Sequence, residues 1–113
     1  MTLPNADRAL IPEAKLFDYL LSPVHPVGKF KARIFTGLGY SQRNWQRLEA
    51  DLRNQHLTQS ATLVETTRHG RKYEIRAILR GPGGQAAEVV SVWIIRANDE
   101  APRFVTAYPG GRR

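Results

Sequence analysis

The chain has 113 residues, 42% hydrophobic and 24% charged, the size and balance of one ordinary soluble globular domain with no room for a second. No apolar run approaches the ~20 residues that a bilayer span needs. The N-terminus lacks the basic-then-apolar layout of a secretory signal, and zero cysteines exclude disulfides, thiolate metal sites and a cysteine nucleophile. The 17 Lys and Arg outnumber the 10 Asp and Glu, for a formal net charge of +7. That excess favours a polyanionic partner, nucleic acid before an anionic membrane, and the chain reads as a cytoplasmic protein with no membrane contact.

Residues 1–113 are expected to form a single domain, with helices over about 12–54 and a sheet over about 60–108. A first helix is predicted from Pro12 to Leu21, with Leu16, Tyr19 and Leu20 on one face. Ser22-Pro23 and His25-Pro26 break it, because each proline pushes the residue before it out of the α region. A second helix is predicted from about Gly28 to Thr36, with Phe30, Ile34 and Phe35 inward and a stop at Gly37/Gly39. Ser41 caps a third from Gln42 to Asn54, in which Trp45, Leu48 and Leu52 repeat at three and four.

After residue 57 the period shortens to two. Strands are predicted at Ala61 to Arg68, Arg71 to Arg80, Gln85 to Arg96 and Arg103 to Tyr108. Their connections are His69-Gly70, Gly81-Pro82-Gly83-Gly84 and Asn98-Asp99-Glu100. Three tight connections make an antiparallel meander. The fold class is then α+β, three N-terminal helices packed on one face of a four-stranded antiparallel sheet. The ends, Met1 to Ala6 and the tail 110–113, read as loose.

Strand alternation assigns the two faces. Tyr73, Ile75, Ala77 and Leu79 go toward the helices, as do the aliphatic Val90, Val92 and Ile94, with Val105 and Ala107. The open face then presents Glu74, Arg76, Arg80, Ser91, Trp93, Phe104, Thr106 and Tyr108. Cations interleaved with aromatics suit RNA, since guanidiniums pair with phosphates and aromatic faces accept unstacked bases. The same arrangement is also what an ordinary solvated sheet face would show. From Lys29 to Arg47 there are five cations and no acid. The RNA-binding set is Lys29, Arg33, Arg76, Arg80, Trp93 and Arg103.

No chemistry built on a metal or a nucleotide fold is supported. The three histidines, His25, His56 and His69, are far apart, and no phosphate-cradling glycine motif or serine-hydrolase elbow occurs. No cofactor is expected. Metal-free cleavage of RNA remains available, because the 2′-OH supplies the nucleophile. The protein then needs only a base, an acid and cations for the phosphorane. His25, in a proline-flanked loop entering a basic segment, is the best candidate for proton transfer. His69 reads as a hairpin tip, and His56 as the end of the third helix.

The segment His25-Pro26-Val27-Gly28, with Lys31-Ala32-Arg33, Phe35 and Leu38-Gly39-Tyr40, resembles the opening of many bacterial toxin nuclease domains. Val92-Trp93-Ile94-Ile95-Arg96 and Pro102-Arg103-Phe104-Val105-Thr106-Ala107-Tyr108-Pro109 resemble their closing strands. With Leu3-Pro4-Asn5-Ala6, the whole chain is similar to an uncharacterised domain family of polymorphic toxins and toxin–antitoxin operons. That family resembles the superfamily named for barnase, EndoU, the tRNA-cleaving colicins and RelE. The resemblance implies metal-independent RNA cleavage, with His25 as general base or acid and Lys31 as a phosphate-stabilising cation. It also implies that Thr106 and Tyr108 position the phosphate or share proton transfer, and that an acidic antitoxin or immunity protein holds the enzyme in check. The alternative is a non-catalytic RNA- or DNA-binding module using the same face.

Overall fold

The computed structural model describes residues 1–110 other than the side chain of Phe30, so that the inward placement expected for Phe30 and the loose tail expected over 111–113 lie outside the described residues. A turn of α-helix, Glu13–Lys15, runs directly into a π-helical stretch, Leu16–Leu20; the two form α1 (13–20). Helix α2 spans Lys29–Gly37. A 3-10 turn Gln42–Asn44, an α-helix Trp45–Asp51 and a second π-helical stretch Leu52–His56 make up α3 (42–56). Four strands follow, β1 Thr62–Thr67, β2 Gly70–Arg80, β3 Ala86–Arg96 and β4 Arg103–Pro109, in the order β1-β2-β3-β4 with every neighbouring pair antiparallel. This is the α+β meander expected from the change of period.

The core lies between the helices and one face of the sheet. Leu16, Leu20, Phe35, Leu38, Leu48 and Leu52 pack with Tyr73, Ile75, Leu79, Val89, Trp93, Ile95, Phe104 and Ala107. Residues paired across strands share a face, so the register Tyr73↔Trp93, Ile75↔Ser91 and Ala77↔Val89 puts Val89, Ser91, Trp93 and Ile95 inside. This reverses the face expected for β3. Trp93 is fully buried, with its ring edge-on to Phe104 at 5.2 Å between centroids, so it is no platform for a base. Alternation could not settle the strand, because between Val89 and Ile95 only Ser91 is polar and Val90 and Val92 are buried too.

Phe104 also turns inward where an open position was expected. The reason is a bulge. Val92 pairs with Thr106 but Trp93 pairs with Phe104, so Val105 is an extra residue in β4. Thr106 and Tyr108 keep the open face, while Phe104 and Ala107 both face the core.

The N-terminal segment is not loose. Leu3, Ala9 and Ile11 are buried, and Thr2 and Leu10 form bridges to Ser60 and Arg103. Gly110 is tied as well, its N–H donating to the Glu88 carbonyl at 2.8 Å and its carbonyl accepting from Arg76.

Two buried polar groups anchor α3, one to the loop before it and one to the sheet. The Tyr40 hydroxyl donates to Asp51 Oδ2 at 2.6 Å, where Arg47 Nε also donates at 2.9 Å. Burial and the Asp51 carboxylate raise the Tyr40 phenol far above its ordinary value, so it stays a donor. His56, fully buried at the end of α3, places Nδ1 2.7 Å from Ser91 Oγ, which accepts the Trp93 Nε1–H at 2.9 Å. Burial pushes His56 down to about 4, opposed only weakly by the Ala77 backbone. In the unfolded chain it titrates near its ordinary 6.5, so its contribution to stability is fully present above pH 6.5 and is lost as pH falls toward 4. The loss attributable to His56 is of order 3 kcal/mol. Urea unfolding at neutral pH and near the lower limit should show it, and His56→Gln should flatten that part of the dependence.

Candidate active site

The loop after α1 is ordered by its own side chains. Ser22 Oγ accepts the N–H groups of Val24 and His25 at 3.2 and 3.1 Å. His25 then folds back, and its Nδ1 accepts the N–H groups of Val27 and Gly28 at 3.0 and 2.9 Å. It therefore satisfies donors that the start of α2 would otherwise leave bare. Gly28 lies directly on α1, where a Cβ would fall inside contact distance of the Tyr19 carbonyl. Only glycine lets the loop come this close.

That approach assembles three side chains from three elements. Lys31 Nζ of α2 donates to the Tyr19 hydroxyl of α1 at 2.6 Å and to Thr106 Oγ1 of β4 at 3.1 Å, and the Tyr19 and Thr106 hydroxyls are 3.0 Å apart. The His25 ring stands edge-on to Tyr19 at 5.1 Å. Lys15, one turn before Tyr19, places its ammonium 6.0 Å from the same ring. An open cleft of about 450 Å³ is lined by Lys15, Tyr19, His25, Val27, Val105 and Thr106.

Tyr19 is the perturbed group here. Burial raises its phenol, but hydrogen bonds from Lys31 and Thr106 and the charges of Lys31 and Lys15 outweigh burial and hold it below its ordinary value. A phenolate is thus stabilised where the cleft opens. His25 has the opposite character. With Nδ1 accepting two backbone N–H groups, the neutral ring carries its proton on Nε2 and presents a donor. The geometry leaves Nε2–H to meet an acceptor.

The remaining expected site residues do not converge. Tyr108 lies one pleat along from Thr106 and donates to Glu74 Oε2 at 3.2 Å; burial and the Glu74 charge raise its phenol. Arg76 is paired with Glu88 at 3.1 Å, and Arg80 donates to the Gly84 carbonyl in the β2–β3 turn at 3.0 Å. Arg103 is held at 3.1 Å by Asp99, whose carboxyl is kept low by the Ala101 N–H first, then by Arg103 and the Glu100 N–H. The open sheet face therefore carries cations largely matched by acids. Lys29 and Arg33 are exposed on α2, the helix that supplies Lys31. Among the described residues no group of three or more His, Asp or Glu is placed to share a metal ion, and no helix is long and apolar enough to cross a membrane.

A family model described as a domain of unknown function (DUF6883) matches residues 2–111. The chain belongs to this family. No curated protein matches. Among solved structures, a chain of a contact-dependent growth inhibition toxin–immunity protein complex from Klebsiella pneumoniae 342 is similar. Its TM-score is 0.70 at 21% identity, and the match covers 95% of this DUF6883 chain and 97% of that one. At that identity the likeness carries the fold.

Tyr19 is not singled out in the sequence because its helical spacing reads as core. The signal lay in its type. A tyrosine on an inward face needs a polar partner for its hydroxyl, which a leucine there would not. The DUF6883 chain has four tyrosines. In a spectrophotometric titration one phenol should ionise below the ordinary value of 10.0, and Lys31→Met should return it upward. Gly28→Ala should do the same by forcing the loop off α1.

Proposed function

We propose that this protein is a small metal-independent ribonuclease toxin whose active site is the cleft between α1, the start of α2 and β4. The observation that carries the reading is the Lys31–Tyr19 contact, which holds a phenol poised to ionise at the mouth of a cationic cleft. In the proposed step Tyr19 Oη takes the proton of an RNA 2′-OH, the 2′-oxygen attacks the adjacent phosphorus, and the bond to the 5′-oxygen breaks. The products are a 2′,3′-cyclic phosphate and a 5′-hydroxyl, the leaving oxygen taking its proton from the solvent-filled side of the cleft. Lys31 offsets charge on the phosphorane, while His25 Nε2–H and Thr106 hold phosphate oxygens. His25 is in this reading a donor, and Tyr108 stands outside the reacting group.

The net charge of +7 and the acid-free stretch from Lys29 to Arg47 support RNA as the partner. They also favour an acidic immunity protein that covers the same cleft. Likeness to a chain of a toxin–immunity complex supports that pairing, as does the sequence resemblance to the barnase, EndoU, colicin and RelE superfamily. The target would be cytoplasmic RNA.

Purified protein incubated with total bacterial RNA in EDTA should give discrete fragments ending in cyclic phosphate. Tyr19→Phe should reduce the rate by about 10²–10⁴-fold, the usual worth of a positioned base. Because the phenolate is the active form, the rate should rise with pH with a midpoint below 10.0, and Lys31→Met should move that limb to higher pH. RNA left intact by the wild type but bound tightly in a salt-sensitive way would replace the nuclease with a non-catalytic binding module.

A further inference from the structure

We infer that the cleft also holds one nucleobase, seated against Val27 and Val105, next to the phosphate that Tyr19 and Lys31 act on. This rests on the reading of the cleft as an RNA site and extends it to what the enzyme recognises.

The cleft's six lining residues divide into two kinds. Tyr19, His25, Lys15 and Thr106 offer hydroxyl, imidazole and ammonium groups, whereas Val27 and Val105 offer only methyl groups. Val27 is 56% exposed in the loop held by His25 and Gly28, which leaves its methyl groups open to a ligand in the cleft. Val105 is the extra residue of the β4 bulge, and bulges re-aim side chains beside active sites. Both valines are held by features already needed for the site. Val27 N–H is bonded to His25 Nδ1, and Val105 precedes Thr106. A volume of about 450 Å³ suits one nucleotide unit, and the wall bears no carboxylate to repel its phosphate. Methyl walls grip a base through its faces and carry no hydrogen-bond pattern of their own. The subsite should therefore favour having a base over lacking one, and discriminate only weakly among the four.

The test compares cleavage of a short single-stranded RNA with that of the same oligomer carrying an abasic ribose on the 2′-OH side of the scissile phosphate. The wild type should cleave the base-bearing oligomer with kcat/KM about five- to tenfold higher, the lower range of what seating one base contributes. The four bases at that position should fall within a few-fold of one another. Val27→Ser, at an exposed site, and Val105→Thr, which keeps the side chain's shape, should each shrink the ratio by raising KM for the base-bearing oligomer. Thermal melting confirms that both variants fold. Equal cleavage of both oligomers by the wild type would overturn the base subsite and leave the nuclease standing. Cleavage of neither would overturn both.

Discussion

The contact between Lys31 Nζ and the Tyr19 hydroxyl, 2.6 Å long, is a polar tie between two helices that also share the core through Leu16, Leu20 and Phe35. Thr106 completes it from the strand, so α1, α2 and β4 converge on one polar point. An ammonium, a phenol and a hydroxyl within hydrogen-bond reach form a network whose members fix one another, and such networks are worth more than their pairs in a partly desolvated setting. The arrangement depends on the loop's approach to α1. Ser22 turns the chain, His25 caps α2, and Gly28 leaves room for the Tyr19 carbonyl. Three residues of the loop thus decide whether Lys31 reaches its partner at all.

Much of the architecture was legible because it rests on local rules. Prolines at 23 and 26 ended one helix, Gly39 closed the next in a left-handed conformation, and the short turns after 67 forced a meander. What stayed hidden depends on pairing between strands. In β3 a run of aliphatic residues offers no alternation, so the placement of Trp93 had to come from its partner Tyr73. In β4 one inserted residue inverted part of the pattern. The site shows the same division. His25, Lys31 and Thr106 are brought together as named, but Tyr19 was masked by its own helical spacing, and the arginines were spent on turns and acids invisible to a one-dimensional reading.

Charge is distributed more unevenly than composition suggests. On the sheet, Arg76 meets Glu88 and Lys72 meets Glu65, and exposed pairs of this kind contribute little to stability while cancelling the field above them. Around the helix that carries Lys31, the stretch from Lys29 to Arg47 contains no acid at all. Arg47 of that stretch is paired with Asp51, while Lys29 and Arg33 stand exposed on the helix that supplies Lys31.

The bulge at Val105 gives β4 two phases of alternation in seven residues. Phe104 keeps the parity that packs against Trp93, and Thr106 keeps the parity that meets Lys31 and Tyr19. A regular strand could satisfy one of these and never both. Loss of a single residue at this point would be a harsher event than any exchange of side chain there, since it would turn either the aromatic out of the core or the hydroxyl away from the cleft. The chain's length at Val105 is thus under tighter restraint than its chemistry.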